Sequence, residues 1–203
     1  MIKDSFFKKG MTLVELIVAI AILSLGMGVF TYLSIKAWSF KGYALEQATA
    51  TTSATRVITQ MVHEIRTVSQ AQDGSYPVAE VSDYSLTVYL DDDNDGFTER
   101  VHYFLVGEEL KKGVTKYISG SYASEDGEIK TILNYVTNGG KPEPLFYYYG
   151  NNYPVGTGTH MDTPNAYDVR LIRIHLWLNI KPIVAPENVN LESFVELRNL
   201  NEI

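Results

Sequence analysis

From Leu16 to Ile35 the chain carries no charged residue. About 20 such residues wound as an α-helix rise about 30 Å, the thickness of the hydrocarbon core of a bilayer. Glu15 stands just inside this apolar run, and the stretch Lys8-Lys9-Gly10-Met11-Thr12-Leu13-Val14 leads into it. A lone ionised acid at such depth costs about 3 kcal/mol on insertion scales, so its presence points to a partner. A cleavable secretory signal has a shorter apolar region with small residues at its far end, whereas here the processing point falls before the run. A plain signal anchor explains the length and the lysines and leaves Glu15 unaccounted for. The lysines favour residues 1–10 in the cytoplasm, a bias that Lys36 and Lys41 weaken, and Trp38 and Phe40 fall where aromatic side chains settle at the outer interface.

A basic flank, a Gly, an apolar residue and a Glu at the fifth place beyond the Gly resemble the leader and methylation motif of type IV prepilins and type II secretion pseudopilins. The resemblance implies cleavage after Gly10 by a prepilin leader peptidase that also methylates the new terminus at Met11. It also implies that Glu15 neutralises the amino terminus of a neighbouring subunit during assembly. Opposite charges attract strongly in a medium of low dielectric, and each is costly alone. Two positions depart from the common pattern: Met11 stands where Phe is frequent, and Tyr32 where Pro is frequent. Gly26 and Gly28 lie within the span instead; they fit local melting of the helix or close packing against other helices.

Beyond the span, Lys36 to about Gln70 contains no Pro and a single Gly, Gly42. Ala54, Val57, Ile58, Met61, Val62, Ile65 and Val68 recur at three and four and mark one apolar helix face. Joined to the membrane segment, this predicts one helix of about 60 residues, stopped by Asp73-Gly74 and Pro77. Short β-type runs follow at Ser85–Leu90, Thr98–Leu105, Leu110–Tyr117, Ile129–Asn134, Leu145–Tyr149, Val169–Leu178 and Phe194–Arg198, with loops at 138–140 and 150–158. The alternation in Leu171–Leu178 predicts a half-buried strand. The fold expected is α+β, a pilin-like lollipop whose long amino-terminal helix, half of it transmembrane, packs on an antiparallel sheet. Its parts are a leader (1–10), a membrane half-helix (11–35), an amphipathic half-helix (36–70) and a β-rich head (71–203). In order, Val101–Leu105 with Glu109-Leu110, Leu145–Tyr149 and Val195–Leu200 resemble the body of minor pseudopilin J and the W-type minor pilins.

Asp91-Asp92-Asp93-Asn94-Asp95-Gly96 opens like a calcium loop of the EF-hand kind. Asp91, Asp93, Asp95, the carbonyl of Phe97 and Glu99 would be the calcium ligands. His102 occupies the twelfth place, where a bidentate Glu is needed, and strands flank the loop. This describes either a weak calcium hairpin or an Asx-rich turn that caps its own backbone in water. His63, His102, His160 and His175 form no ligand spacing and are expected at the surface or core edge. There is no hydrolase elbow, Walker loop or dinucleotide fingerprint, so an enzyme is not expected. The chain has 17 Lys and Arg against 24 Asp and Glu, a formal charge of −7. Such a balance disfavours phosphate-driven nucleic-acid binding. No cysteine is present, which excludes disulfides and thiolate metal sites. The 14 tyrosines serve sheet packing or an interface.

The function expected is therefore that of a subunit, a minor pilin or pseudopilin built into a type IV pilus or type II secretion pseudopilus. Its partners would be other pilin or pseudopilin subunits, the leader peptidase/methyltransferase and an inner-membrane assembly platform. It would reside in the inner membrane as a single-pass protein, head outside the cytoplasm, before entering an extracytoplasmic filament. The alternatives are a calcium-dependent adhesin or substrate-recognition module at a filament tip, and a plain signal-anchored β-domain.

Overall fold

The computed structural model describes residues 10–140, 142–151, 153, 159–179 and 189–200. Most of the leader, at 1–9, and most of the loop expected at 150–158 lie outside the described residues. The chain divides into two compact units, residues 1–46 and 47–203, and a single helix, α1 (Leu13–Arg66), contributes to both.

In the first unit α1 is long and apolar enough to cross a membrane. Its large side chains are exposed from Leu16 (49%) through Leu25 (73%) to Ile35 (66%), so none of them is spent on an internal core. Two of the hydroxyls in this stretch bond within the helix: Ser24 donates to the Ile20 carbonyl and Thr31 to that of Met27, both at 2.8 Å. Such back-bonding is how a polar side chain is tolerated where water cannot reach it.

In the second unit the predicted apolar face of α1 becomes core. Ala54, Ile58, Met61, Val62 and Ile65 are buried in one cluster with strand residues that include Val88, Val101, Tyr103, Leu110, Ile172 and Leu176. The strands are β1 (Val78–Val81), β2 (Ser85–Leu90), β3 (Glu99–Val106), β4 (Glu109–Thr115), β5 (Tyr117–Ile118), β6 (Ser121–Tyr122), β7 (Glu128–Leu133), β8 (Phe146–Tyr149), β9 (Leu171–Leu178) and β10 (Val189–Glu196). They form an antiparallel five-stranded sheet, ordered β1-β2-β3-β4-β7, a three-stranded sheet, β10-β9-β8, and the small β5-β6 hairpin. The α+β class with a long amino-terminal helix and antiparallel sheets is what the structure shows.

The differences from expectation are local. The helix stops at Arg66 rather than near Gln70, because the amide and hydroxyl of Thr67 both turn to the Glu64 carbonyl, at 3.0 and 2.8 Å. Ser69 then donates to Tyr89 and joins the chain to β2. The last strand lies earlier than Phe194–Arg198, since all of Val189–Glu196 pairs with β9, and Arg198–Leu200 forms a 3-10 turn. The sequence pattern gave no sign of β1 or of the β5-β6 hairpin. On β9, Ile172, Ile174, Leu176 and Leu178 are buried as expected, but His175 is only 3% exposed and is not a surface or core-edge residue. At the edge of the larger sheet, β7 places Glu128 opposite Val114 and Lys130 opposite Lys112. This is the sheet face that meets α1 through Lys112 and Glu64.

Candidate functional site

Gly10 and Met11 are exposed ahead of the helix, and a Cβ added at Gly10 would meet nothing within 4 Å. Leu13 is the first helical residue, which makes Thr12 its N-cap. The Thr12 hydroxyl accepts from the Glu15 amide at 3.3 Å. Thr12-x-x-Glu15 is thus a capping-box sequence, and the carboxylate sits in the first turn, where the exposed amides of the helix favour negative charge. This local role is compatible with the intermolecular one, because a cap engages the backbone of its own helix.

The Asp-rich loop between β2 and β3 closes on itself. Asp91 accepts from the amides of Asp95 (3.1 Å) and Gly96 (3.0 Å), and Asp95 accepts from Phe97 (2.9 Å). The reversal uses left-handed backbone at Asn94 (φ 59) and Gly96 (φ 90), the latter open to Gly at no steric cost. Asp91, Asp93 and Glu99 each bring a carboxylate oxygen within 4.8 Å of the others. Asp95 does not belong to this group, and the Phe97 side chain is exposed. Glu99 is 2% exposed and accepts from the Asp92 amide at 2.9 Å. Burial, reinforced by the Asp93 and Asp95 charges, raises its pKa above the usual carboxylate value. His102, at the would-be twelfth position, lies 2.7 Å from Asp126 instead.

Two lysines, Lys112 in the middle of β4 and Lys116 just beyond its end, reach this loop. Lys116 Nζ lies 2.5 Å from Asp93 Oδ2, and Lys112 Nζ lies 2.5 Å from Asp92 Oδ1. The bond between Asp93 and Lys116 lowers the carboxyl pKa and raises that of the ammonium. Lys112 also lies 3.1 Å from Glu64 Oε1 on α1. Glu64 accepts in addition from Gln60 (2.7 Å) and from the hydroxyl of the fully buried Tyr103. Burial, followed by the nearby Glu64 charge, holds the Tyr103 phenol protonated well above its ordinary range. A chain of polar contacts therefore runs from the loop through β4 to the helix. Loop and lysines open on a groove of about 530 Å³, to which Arg56 and Lys130 add cationic walls.

Two further clusters lie away from this loop. On one sheet face, Asp126 lies 3.5 Å from Arg100 and 2.7 Å from His102. It rests over Gly113, where an added Cβ would stand 2.8 Å from its Cγ, so that position has no room for a side chain. On the smaller sheet, the Arg173 guanidinium stacks 4.4 Å from the Tyr147 ring centroid and lies 3.3 Å from Glu192. His175 Nε2 lies 3.5 Å from the same carboxylate.

Of the residues singled out by sequence, the structure gathers Asp91, Asp93 and Glu99, and keeps Gly10, Met11 and Glu15 together at the helix start. Thr12, Glu64, Tyr103, Lys112 and Lys116 were not singled out. Only Thr12 had a local signal, its Glu three places on; the lysines converge on the loop through strand register alone.

Residues 7–31 match the family described as the prokaryotic N-terminal methylation motif. The match covers Gly10, Met11, Glu15 and most of the apolar run, so the amino terminus of the chain carries the processing motif found in type IV prepilins and pseudopilins. That motif is structural rather than enzymatic. Together with a helix long and apolar enough to cross a membrane, the motif supports anchoring of the chain in a membrane. None of the curated proteins compared with the chain matches it.

Proposed function

We propose that this chain is a minor pilin or pseudopilin, inserted in the inner membrane, cut between Gly10 and Met11 by the leader peptidase, methylated at Met11 and built into a helical filament. The observation that carries this reading is the methylation motif at 7–31 running directly into a helix with exposed apolar side chains. Residues 1–10 act as leader, 11–35 as the membrane half of the helix, 36–70 as its amphipathic half and 71–203 as the head. Glu15, placed at the helix start by Thr12, meets the new amino terminus of a neighbouring subunit. In the apolar bundle each charge relieves the cost of the other. The partners are other pilin or pseudopilin subunits, the peptidase/methyltransferase and the assembly platform. The order of the β-segments, similar to minor pseudopilin J and W-type minor pilins, favours a minor subunit.

Mass spectrometry of the chain purified from membranes tests this. A mature species beginning at methylated Met11 is expected. A chain that keeps residues 1–10, or is cut at the far side of the apolar run, refutes it.

A further inference from the structure

We propose that the Asp91–Glu99 loop needs no metal ion, because the chain supplies its own cations: Lys116 takes up Asp93 of the crowded carboxylates, and Lys112 offsets the adjacent Asp92. Carboxylate oxygens of Asp91, Asp93 and Glu99 crowd within 4.8 Å, and like charges this close need a positive partner. Lys116 bonds Asp93 and Lys112 bonds Asp92, each at 2.5 Å. Along an extended chain residues 112 and 116 point to the same side, so a single run delivers both ammoniums to one loop. The bidentate carboxylate that completes a calcium loop is missing, since the twelfth place holds His102, engaged with Asp126.

The lysines also do what a bound ion would not. Lys112 reaches Glu64 while holding Asp92, and so fastens the loop to α1. An entering divalent ion would face Lys116 already on Asp93. The consequence is a head whose stability is indifferent to external calcium. This inference stands apart from the filament reading and survives or fails without it.

The test compares thermal unfolding of the full chain in detergent micelles with EDTA and with calcium at about 10 mM, above the 10⁻⁴–10⁻³ M range of extracellular calcium modules. The parent midpoint is expected to be the same in both. Lys116→Met is suited to the comparison because its side chain is 56% exposed, and its removal leaves the core intact. This variant is expected to unfold about 1–2 °C lower in EDTA, as suits a half-exposed ion pair, to recover on adding calcium, and to lose that recovery when Asp93→Ala is added. A parent midpoint raised by calcium, with the rise abolished by Asp93→Ala, would overturn the proposal in favour of a metal loop. A Lys116→Met chain whose midpoint does not fall in EDTA, or falls and is not restored by calcium, would overturn it too, by showing that the ammonium does not stand in for a divalent ion.

Discussion

Removing the Tyr103 hydroxyl probes what locks the helix to the sheet. Tyr103 is fully buried, its hydroxyl donates to Glu64, and Glu64 is also bonded to Lys112 and Gln60. In Tyr103→Phe the carboxylate keeps two partners, so the loss is one hydrogen bond to a charged acceptor, about 1.5–3 kcal/mol. Glu64→Ala strips the phenol of its acceptor and Lys112 of one of its two carboxylates, the other being Asp92. Breaking a buried pair costs about 3–5 kcal/mol; the lower end applies here because Lys112 remains paired. The two changes remove the same contact, so the double variant should fall short of the sum by about 1–2 kcal/mol. Urea unfolding of the full chain in micelles, followed by tyrosine and tryptophan fluorescence, reads this as a midpoint shift. At a slope of about 2 kcal/mol per molar urea, Tyr103→Phe should unfold about 1 M earlier. An unchanged midpoint, or strictly additive losses, would show that the contact does not couple helix and sheet.

Two other outcomes are expected. Glu15→Val should still insert in the membrane and be cut after Gly10, yet fail to enter filaments when co-expressed with partner subunits; normal incorporation, scored by immunoblot of sheared filaments, would refute the charge-pairing role. Burial lowers the His175 pKa below its ordinary 6.5, with Glu192 opposing and Arg173 assisting. The native ring therefore binds a proton less readily than the unfolded one, and its stabilising contribution, intact above about pH 6.5, declines as pH falls toward the native value. Unfolding midpoints across about pH 7.5 to 5 should show this slope in the parent and a shallower one in His175→Gln; equal slopes would rule His175 out as its source.

The parts of the fold legible in sequence were those with a strong local period. The stripe from Ala54 to Ile65 and the alternation in Ile172–Leu178 each commit a whole face to burial, and no tertiary contact overrides them. β1 and the β5-β6 hairpin were illegible because their pairing is imposed by neighbours: Val78–Val81 is short and mixed, and only its register with β2 makes it a strand. His175 looked like a polar residue on a half-buried strand; Tyr147 and Glu192, from β8 and β10, are what surround it. The Asp-rich loop could be read as a turn or a calcium hairpin because local sequence specifies its backbone. Its charge balance depends on Lys112 and Lys116, about 20 residues further along, which a motif cannot contain.

The exposed margin of the larger sheet has a bearing on solubility. On β7 the exposed Glu128 and Lys130 lie on the face shared with Val114 and Lys112. A second sheet zipping onto that border would have to bring its side chains against an acid and an amine on that face. For copies anchored side by side in a membrane, charge at such an edge is a brake on edge-to-edge pairing of their sheets.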